Sequence, residues 1–166
     1  MGIFNFGKKE QKKQKEIISA PVRGKAVASS EINDPTFAQE LLGKGMAIKP
    51  TEGKVYSPVE GKIATIFETK HALSIISNRG TELLIHVGLD TVALKGQFFE
   101  AYVKEGTEVK RGELLLEFEL LSISEAGYDT IVPIVICNTA DYEKVTCMVN
   151  REVEPGDPIL EVEKIY

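Results

Sequence analysis

The sequence predicts an all-β fold, a sandwich or barrel-like pair of packed sheets, and two observations carry that expectation. From Ile17 onward, Gly and Pro recur every 8–12 residues between short β-branched or aliphatic runs, the punctuation of strands joined by turns. The chain also repeats itself. ISAPVRGKAV (18–27) resembles YSPVEGKIAT (56–65), each taking Pro-Val-x-Gly-Lys into a strand. EVKRGELLLEFE (108–119) resembles EVEPGDPILEVE (152–163), each taking Glu-Val-x-x-Gly and an acidic residue into a strand. Two copies of one hairpin-rich unit point to pseudo-symmetric sheets, and packing them together limits exposed edges.

The elements follow in order. Strands are expected at Ile17–Ala20, Gly24–Ala28, Ala47–Pro50, Lys54–Tyr56, Gly61–Ile66, Ala72–Ser77 and Glu82–His86. Others are expected at Phe98–Val103, Leu114–Glu119, Thr130–Ile136, Lys144–Met148 and Ile159–Lys164. A short helix fits Pro35–Leu42, with Asp34 as N-cap, Pro35 at the first helical position and Gly43 closing it. A helical turn fits Leu121–Ala126, closed by Gly127. Gly112 and Gly156 stand where the repeated turns need a positive φ.

Composition bounds the function. Net charge is −5, which argues against a dedicated nucleic-acid binder, and no apolar run approaches the ~18–20 residues of a membrane span. The charge is uneven: residues 1–16 hold five lysines and two glutamates, and the rest is acidic. Residues 1–16 therefore read as a mobile basic tail and 17–166 as one domain. Ile3, Phe4 and Phe6 ahead of the lysines give the tail at most a weak hold on an anionic membrane surface. Cys137 and Cys147, without a secretory leader, are expected as buried free thiols in a reducing cytosol.

The chemistry concentrates on two histidines, His71 and His86. Each lies about six residues from the turn at SNRG (77–80), so an antiparallel hairpin sets them nearly opposite each other. Alternation puts Thr69, His71 and Leu73 on one face and Leu84 with His86 on one face of the next strand. A strand histidine is often only a satisfied, half-buried polar residue. Two at mirrored positions among apolar neighbours suit nucleophilic attack on phosphorus, since imidazole is largely neutral near pH 7. One ring nitrogen must then keep its proton on an acceptor, and the backbone carbonyl of Gly88 lies close in sequence. The second imidazole can hold the phosphoryl charge in transfer.

GTELLIHVGLDTVALKG (80–96) resembles the active-site signature of glucose-type IIA proteins of the bacterial phosphoenolpyruvate:sugar phosphotransferase system. GKIATIFETKHALSI (61–75) resembles the run carrying that family's second histidine, and GMAIKP (45–50) and SPVEGK (57–62) match other recurrent runs. The resemblance covers residues 17–166. It implies an antiparallel β-sandwich of the duplicated hybrid motif type and a monomeric cytoplasmic phosphocarrier, free-standing or one domain of a longer permease. It implies a phosphoryl group carried on His86, supported by His71, with Thr69 hydrogen-bonded to His71 and Gly88 at the site. The donor would be HPr and the acceptor the cysteine of a IIB domain, with a regulatory role in carbon catabolite control also open. An apolar ring of Phe37, Leu41, Leu42, Phe67, Leu84 and Val92, flanked by Asp34 and Asp90, would receive these partners. Taken singly, these side chains read as core residues, a helix cap and a loop acid.

Two other functions share features with the sequence. Zinc peptidases of the same topology need more ligands than two histidines supply, and a catalytic zinc takes three protein ligands. No cofactor is required, although His71 and His86 could hold a zinc ion completed by a partner's ligand. Biotinyl or lipoyl carrier domains share the Pro-Val-x-Gly-Lys turns, but their Met-Lys-Met tripeptide is absent.

Overall fold

The computed structural model describes residues 13–165. Its largest sheet has eight antiparallel strands in the order β13 (Arg151–Val153), β2 (Gly24–Ala28), β3 (Lys44–Pro50), β11 (Val132–Ile136), β7 (Glu82–His86), β6 (Ala72–Ser77), β5 (Gly61–Ile66), β9 (Glu108–Val109). Two three-stranded sheets accompany it. One runs β1 (Lys13–Ser19), β14 (Pro158–Ile165), β12 (Lys144–Cys147); the other runs β4 (Lys54–Tyr56), β10 (Leu114–Phe118), β8 (Phe99–Ala101).

The sequence repeat reappears as a pseudo-two-fold in the hydrogen bonding. Ser19 N–H donates to the Pro58 carbonyl at 3.0 Å, and Tyr56 N–H donates to the Pro21 carbonyl at 2.8 Å. Gly112 N–H reaches the Ser57 carbonyl, and Gly156 N–H reaches the Ala20 carbonyl, the residue preceding the proline in each copy. Gly112 (φ 86) and Gly156 (φ 99) hold the positive φ expected of them. Gly24 and Gly61 are needed for close approach: a Cβ would stand 2.0 Å from the Lys49 carbonyl oxygen and 2.2 Å from that of Ile76. The glycine of each repeat thus lets a neighbouring strand lie against its Cα. The two copies exchange β13 with β9, β2 with β5, β3 with β6 and β11 with β7, so the pseudo-axis passes between β11 and β7.

Alternation along the strands divides the large sheet's faces. Met46, Ile134, Ile85 and Leu73 pair across β3, β11, β7 and β6 and are fully buried. They pack with Ile18, Leu160 and Val162 of one small sheet and Leu115, Leu116 and Phe118 of the other. Each such side chain stabilises the fold by about 1.5–3 kcal/mol relative to exposure. The opposite face is only partly covered. Val27, Ala47 and Val135 there pack under Ile32, Phe37, Leu89 and Ile131, with Leu84 at the margin. Ala72 and His86 pair on this same face, beside that second cluster.

Several boundaries move. β1 begins at Lys13, so Lys13–Glu16 are strand rather than tail. Lys13 and Lys15 reach Glu163 and Glu161 on β14, and Ser77 Oγ and Thr81 Oγ1 donate to the Glu16 carboxylate. The polar run is a strand because its partner carries complementary charge. The rest of the expected tail, residues 1–12, lies outside the described residues. The first helix, α1, is only Pro35–Ala38; Asp34 caps it through Thr36 N–H at 2.9 Å, as expected. It stops early because Glu40 adopts φ 55. Gly43 serves strand contact instead of helix closure, since a Cβ there would meet the Ile136 carbonyl oxygen at 2.1 Å. The second helix, α2, spans Leu120–Glu125. Both cysteines are free thiols, but Cys137 is exposed and Cys147 half-buried, against the expectation of burial. Among the described residues, no helix is long and apolar enough to cross a membrane.

Candidate functional site

His86 is the last residue of β7, on the partly covered face of the large sheet. His71 precedes β6. The expected register is one step off: Ala72, not His71, stands opposite His86. The expected face is also wrong, because alternation would send His71 toward the core with Leu73. Lys70 has φ 59, which breaks the alternation in a turn closed by Lys70 N–H to the Phe67 carbonyl (2.8 Å). The turn swings the His71 ring onto the outer face. Val87 N–H donates to the His71 carbonyl at 2.7 Å, so the backbones stay paired beyond the regular ladder.

The two imidazoles meet edge to face, with centroids 4.9 Å apart and an interplanar angle of 84°. Phe37 lies 5.1 Å from the His86 ring, and Phe67 lies 5.3 Å from the His71 ring. Four rings thus form a row, Phe67–His71–His86–Phe37, at the centroid spacings aromatic pairs prefer. His86 Nδ1 is 2.7 Å from the Gly88 carbonyl oxygen. A carbonyl only accepts, so Nδ1 carries the proton and Nε2 keeps its lone pair. Thr69 Oγ1 lies 2.6 Å from His71 Nδ1, the linkage expected of these two residues.

Burial favours the neutral imidazole. His71 is only 2% exposed, and its pKa falls from 6.5 to about 4, first through desolvation and then through repulsion from His86. Desolvation also lowers the His86 pKa, opposed by the Gly88 carbonyl and by the charges of Asp34 and Asp90. Both rings are therefore neutral near pH 7, and the two aspartates stand close enough for His86 to feel them.

The expected apolar ring is only partly a surface. Leu41 (67% exposed), Val92 (54%), Leu42 and Phe67 are exposed. Phe37 is buried and Leu84 half-buried in the second cluster, so these two form the floor beneath His86. Asp34 is tied to its helix cap, and Asp90 is exposed with φ 59. Thr91 escaped the sequence reading. It is fully buried, and its hydroxyl donates to the Val87 carbonyl four residues back. The spacing H-V-G-L-D-T held that signal, since Thr often bonds a carbonyl four residues earlier. No group of three or more His, Cys, Asp or Glu side chains converges as a metal set among the described residues.

The family model for the phosphoenolpyruvate-dependent sugar phosphotransferase system, EIIA 1, matches residues 16–142. The chain is 45% identical over 154 residues to a PTS system glucose-specific EIIA component of Bacillus cereus, covering 93% of this chain and 92% of that protein. It is 47% identical over 146 residues to a PTS system beta-glucoside-specific EIIBCA component of Bacillus subtilis, covering 88% of this chain. The chain spans only 24% of that longer relative. The glucose permease IIA from Mycoplasma capricolum superposes with a TM-score of 0.83 at 33% identity, over 89% of this chain and 96% of that one.

Proposed function

The chain belongs to the EIIA 1 family of the phosphoenolpyruvate-dependent sugar phosphotransferase system and is a phosphocarrier component of it, and on that premise we propose that His86 Nε2 is the atom that carries the phosphoryl group. One observation supports this most: the Gly88 carbonyl accepts the Nδ1 proton at 2.7 Å, which leaves Nε2 as the nucleophile. The Nε2 lone pair forms the new N–P bond, and the donor's nitrogen leaves with the electron pair of the old one. The imidazole gains positive character as the bond forms, and the Nδ1–H···O bond strengthens with it. The lowered pKa keeps His86 unprotonated and reactive near pH 7.

His71 supports the phosphoryl oxygens. If the Thr69 hydroxyl donates to His71 Nδ1, the remaining proton sits on Nε2 as a neutral donor toward the site. The donor protein is HPr, and the acceptor is the cysteine of a IIB domain. The name of the EIIBCA relative, which joins EIIB and EIIA in one component, supports a IIB partner. Leu41, Leu42, Phe67 and Val92 form the docking surface, with Asp34 and Asp90 offering charge to a basic partner. The protein acts as a cytoplasmic monomer. With the Thr69 hydroxyl instead accepting from His71 Nδ1, the Nε2 atoms of both rings would be left as nitrogen ligands for a zinc ion, which a partner's side chains must complete.

The test is phosphorylation of the whole chain by phosphoenolpyruvate, enzyme I and HPr. The expected result is one acid-labile, base-stable phosphate, lost in His86→Gln and kept in His71→Gln. Stoichiometric labelling of His86→Gln would overturn the assignment.

A further inference from the structure

We infer that Thr91 is a positioning residue for His86, fixing which imidazole nitrogen is free to react by holding the turn that carries the Gly88 carbonyl. The inference rests on the reading of His86 as phosphoryl acceptor and names a residue that acts through its tautomer.

The turn after β7 is gripped from two sides. On one side, Gly88 N–H donates to the Ile131 carbonyl at 2.9 Å and Leu89 N–H to the Asp129 carbonyl at 3.0 Å. The Asp129 carboxylate in turn accepts Ile131 N–H at 2.9 Å, which stiffens that side. On the other side stands Thr91, fully buried at the head of a 3₁₀ turn. Its hydroxyl donates to the Val87 carbonyl, while Val87 N–H is bound to the His71 carbonyl. Its methyl faces Gly88, where an added Cβ would stand 2.5 Å from it. One threonine therefore touches the residues on both sides of the Val87–Gly88 peptide bond. With both sides fixed, the Gly88 carbonyl is directed at His86 Nδ1.

An unrestrained neutral imidazole exchanges its proton between the two nitrogens. Only the Nδ1–H form presents a lone pair at Nε2. A Gly88 carbonyl that drifts away from Nδ1 lets the Nε2–H form grow, and that form cannot attack phosphorus through Nε2. A hydroxyl that never touches the phosphoryl group thus controls the fraction of reactive protein.

The experiment reads the imidazole ¹⁵N shifts of His86 in the unphosphorylated whole chain, together with the rate of labelling by phospho-HPr. Thr91→Val keeps the side-chain volume and removes the hydroxyl. It is expected to raise the Nε2–H form and to slow labelling by the same factor by which the Nδ1–H fraction falls. Thr91→Ser keeps the hydroxyl and is expected to restore the Nδ1–H form. Should Thr91→Val not fold, Thr91→Ala makes the same comparison. A wild-type tautomer in the Val or Ala variant, or a Ser variant shifted as far as Val, overturns the inference. The tautomer is read before any phosphate is present. A wild-type chain that shows Nδ1–H yet takes no label would therefore count against His86 as acceptor and not against Thr91.

Discussion

Replacing Gly88 with alanine separates two costs that the fold imposes on one residue. Gly88 has φ 77, a conformation that costs an L-residue about 1–2 kcal/mol. Its added Cβ would also stand 2.5 Å from Thr91 Cγ2 and 2.9 Å from the Asp129 carbonyl oxygen. Side-chain overlap of that kind adds about 1–3 kcal/mol. Gly80 is the control, because its φ of 95 carries the backbone cost with no atom within 4 Å of the added Cβ. Gly80→Ala is thus expected to destabilise by about 1–2 kcal/mol and Gly88→Ala by about 2–5 kcal/mol. In urea denaturation, with slopes of about 1–3 kcal/mol/M, the two midpoints should differ by roughly 1 M. Relieving the overlap also moves the Gly88 carbonyl off His86 Nδ1, so Gly88→Ala alone should alter the His86 tautomer. Equal midpoint shifts, with an unchanged tautomer in both, would refute the close packing of this turn.

Three further outcomes are expected. His71→Gln should accept phosphate from HPr but pass it to IIB at least ~100-fold more slowly, the scale of one lost transition-state donor; normal transfer would make His71 a bystander. The low pKa of His71, about 4, means that between pH 6.5 and 4 the unfolded chain binds a proton that the folded chain refuses. Stability should therefore fall as pH drops through that window, and His71→Gln should flatten the fall in urea midpoints; an unchanged slope counts against a buried neutral His71. Removing residues 1–12, which spares β1, should leave acceptance from HPr intact and reduce both sedimentation with anionic vesicles and transfer to membrane-bound IIB. Equal sedimentation of the two forms would return this segment to a solvated terminus.

What the sequence disclosed depended on how local each signal was. The repeat was legible because Pro-Val-x-Gly-Lys and Glu-Val-x-x-Gly encode turns within a few residues, and the hydrogen bonds at Ser57 and Ala20 reproduce it. The face shared by Leu84 and His86 followed from simple alternation along β7. His71 did not, because one left-handed residue, Lys70, resets the alternation and nothing in its side chain announces that. Strands β9 and β13 are two and three residues long, with mostly exposed charged side chains, so their pairing is decided by the sheet edge they meet. Lys13–Glu16 looked like tail because their partners, Glu161 and Glu163, lie at the other end of the chain. Phe37 fits a surface anchor by sequence because the residues that bury it, Ile32, Leu89 and Ile131 among them, are mostly distant in the chain.

The central claim is that a single nitrogen, Nε2 of His86, carries the phosphoryl group while Nδ1 stays protonated on the Gly88 carbonyl. The most direct measurement is ³¹P–¹⁵N coupling in the phosphorylated protein with ¹⁵N-labelled histidine rings. The expected spectrum shows phosphorus coupled to Nε2 of His86 and a proton retained on Nδ1. Coupling to Nδ1 of His86, or to either nitrogen of His71, would contradict it.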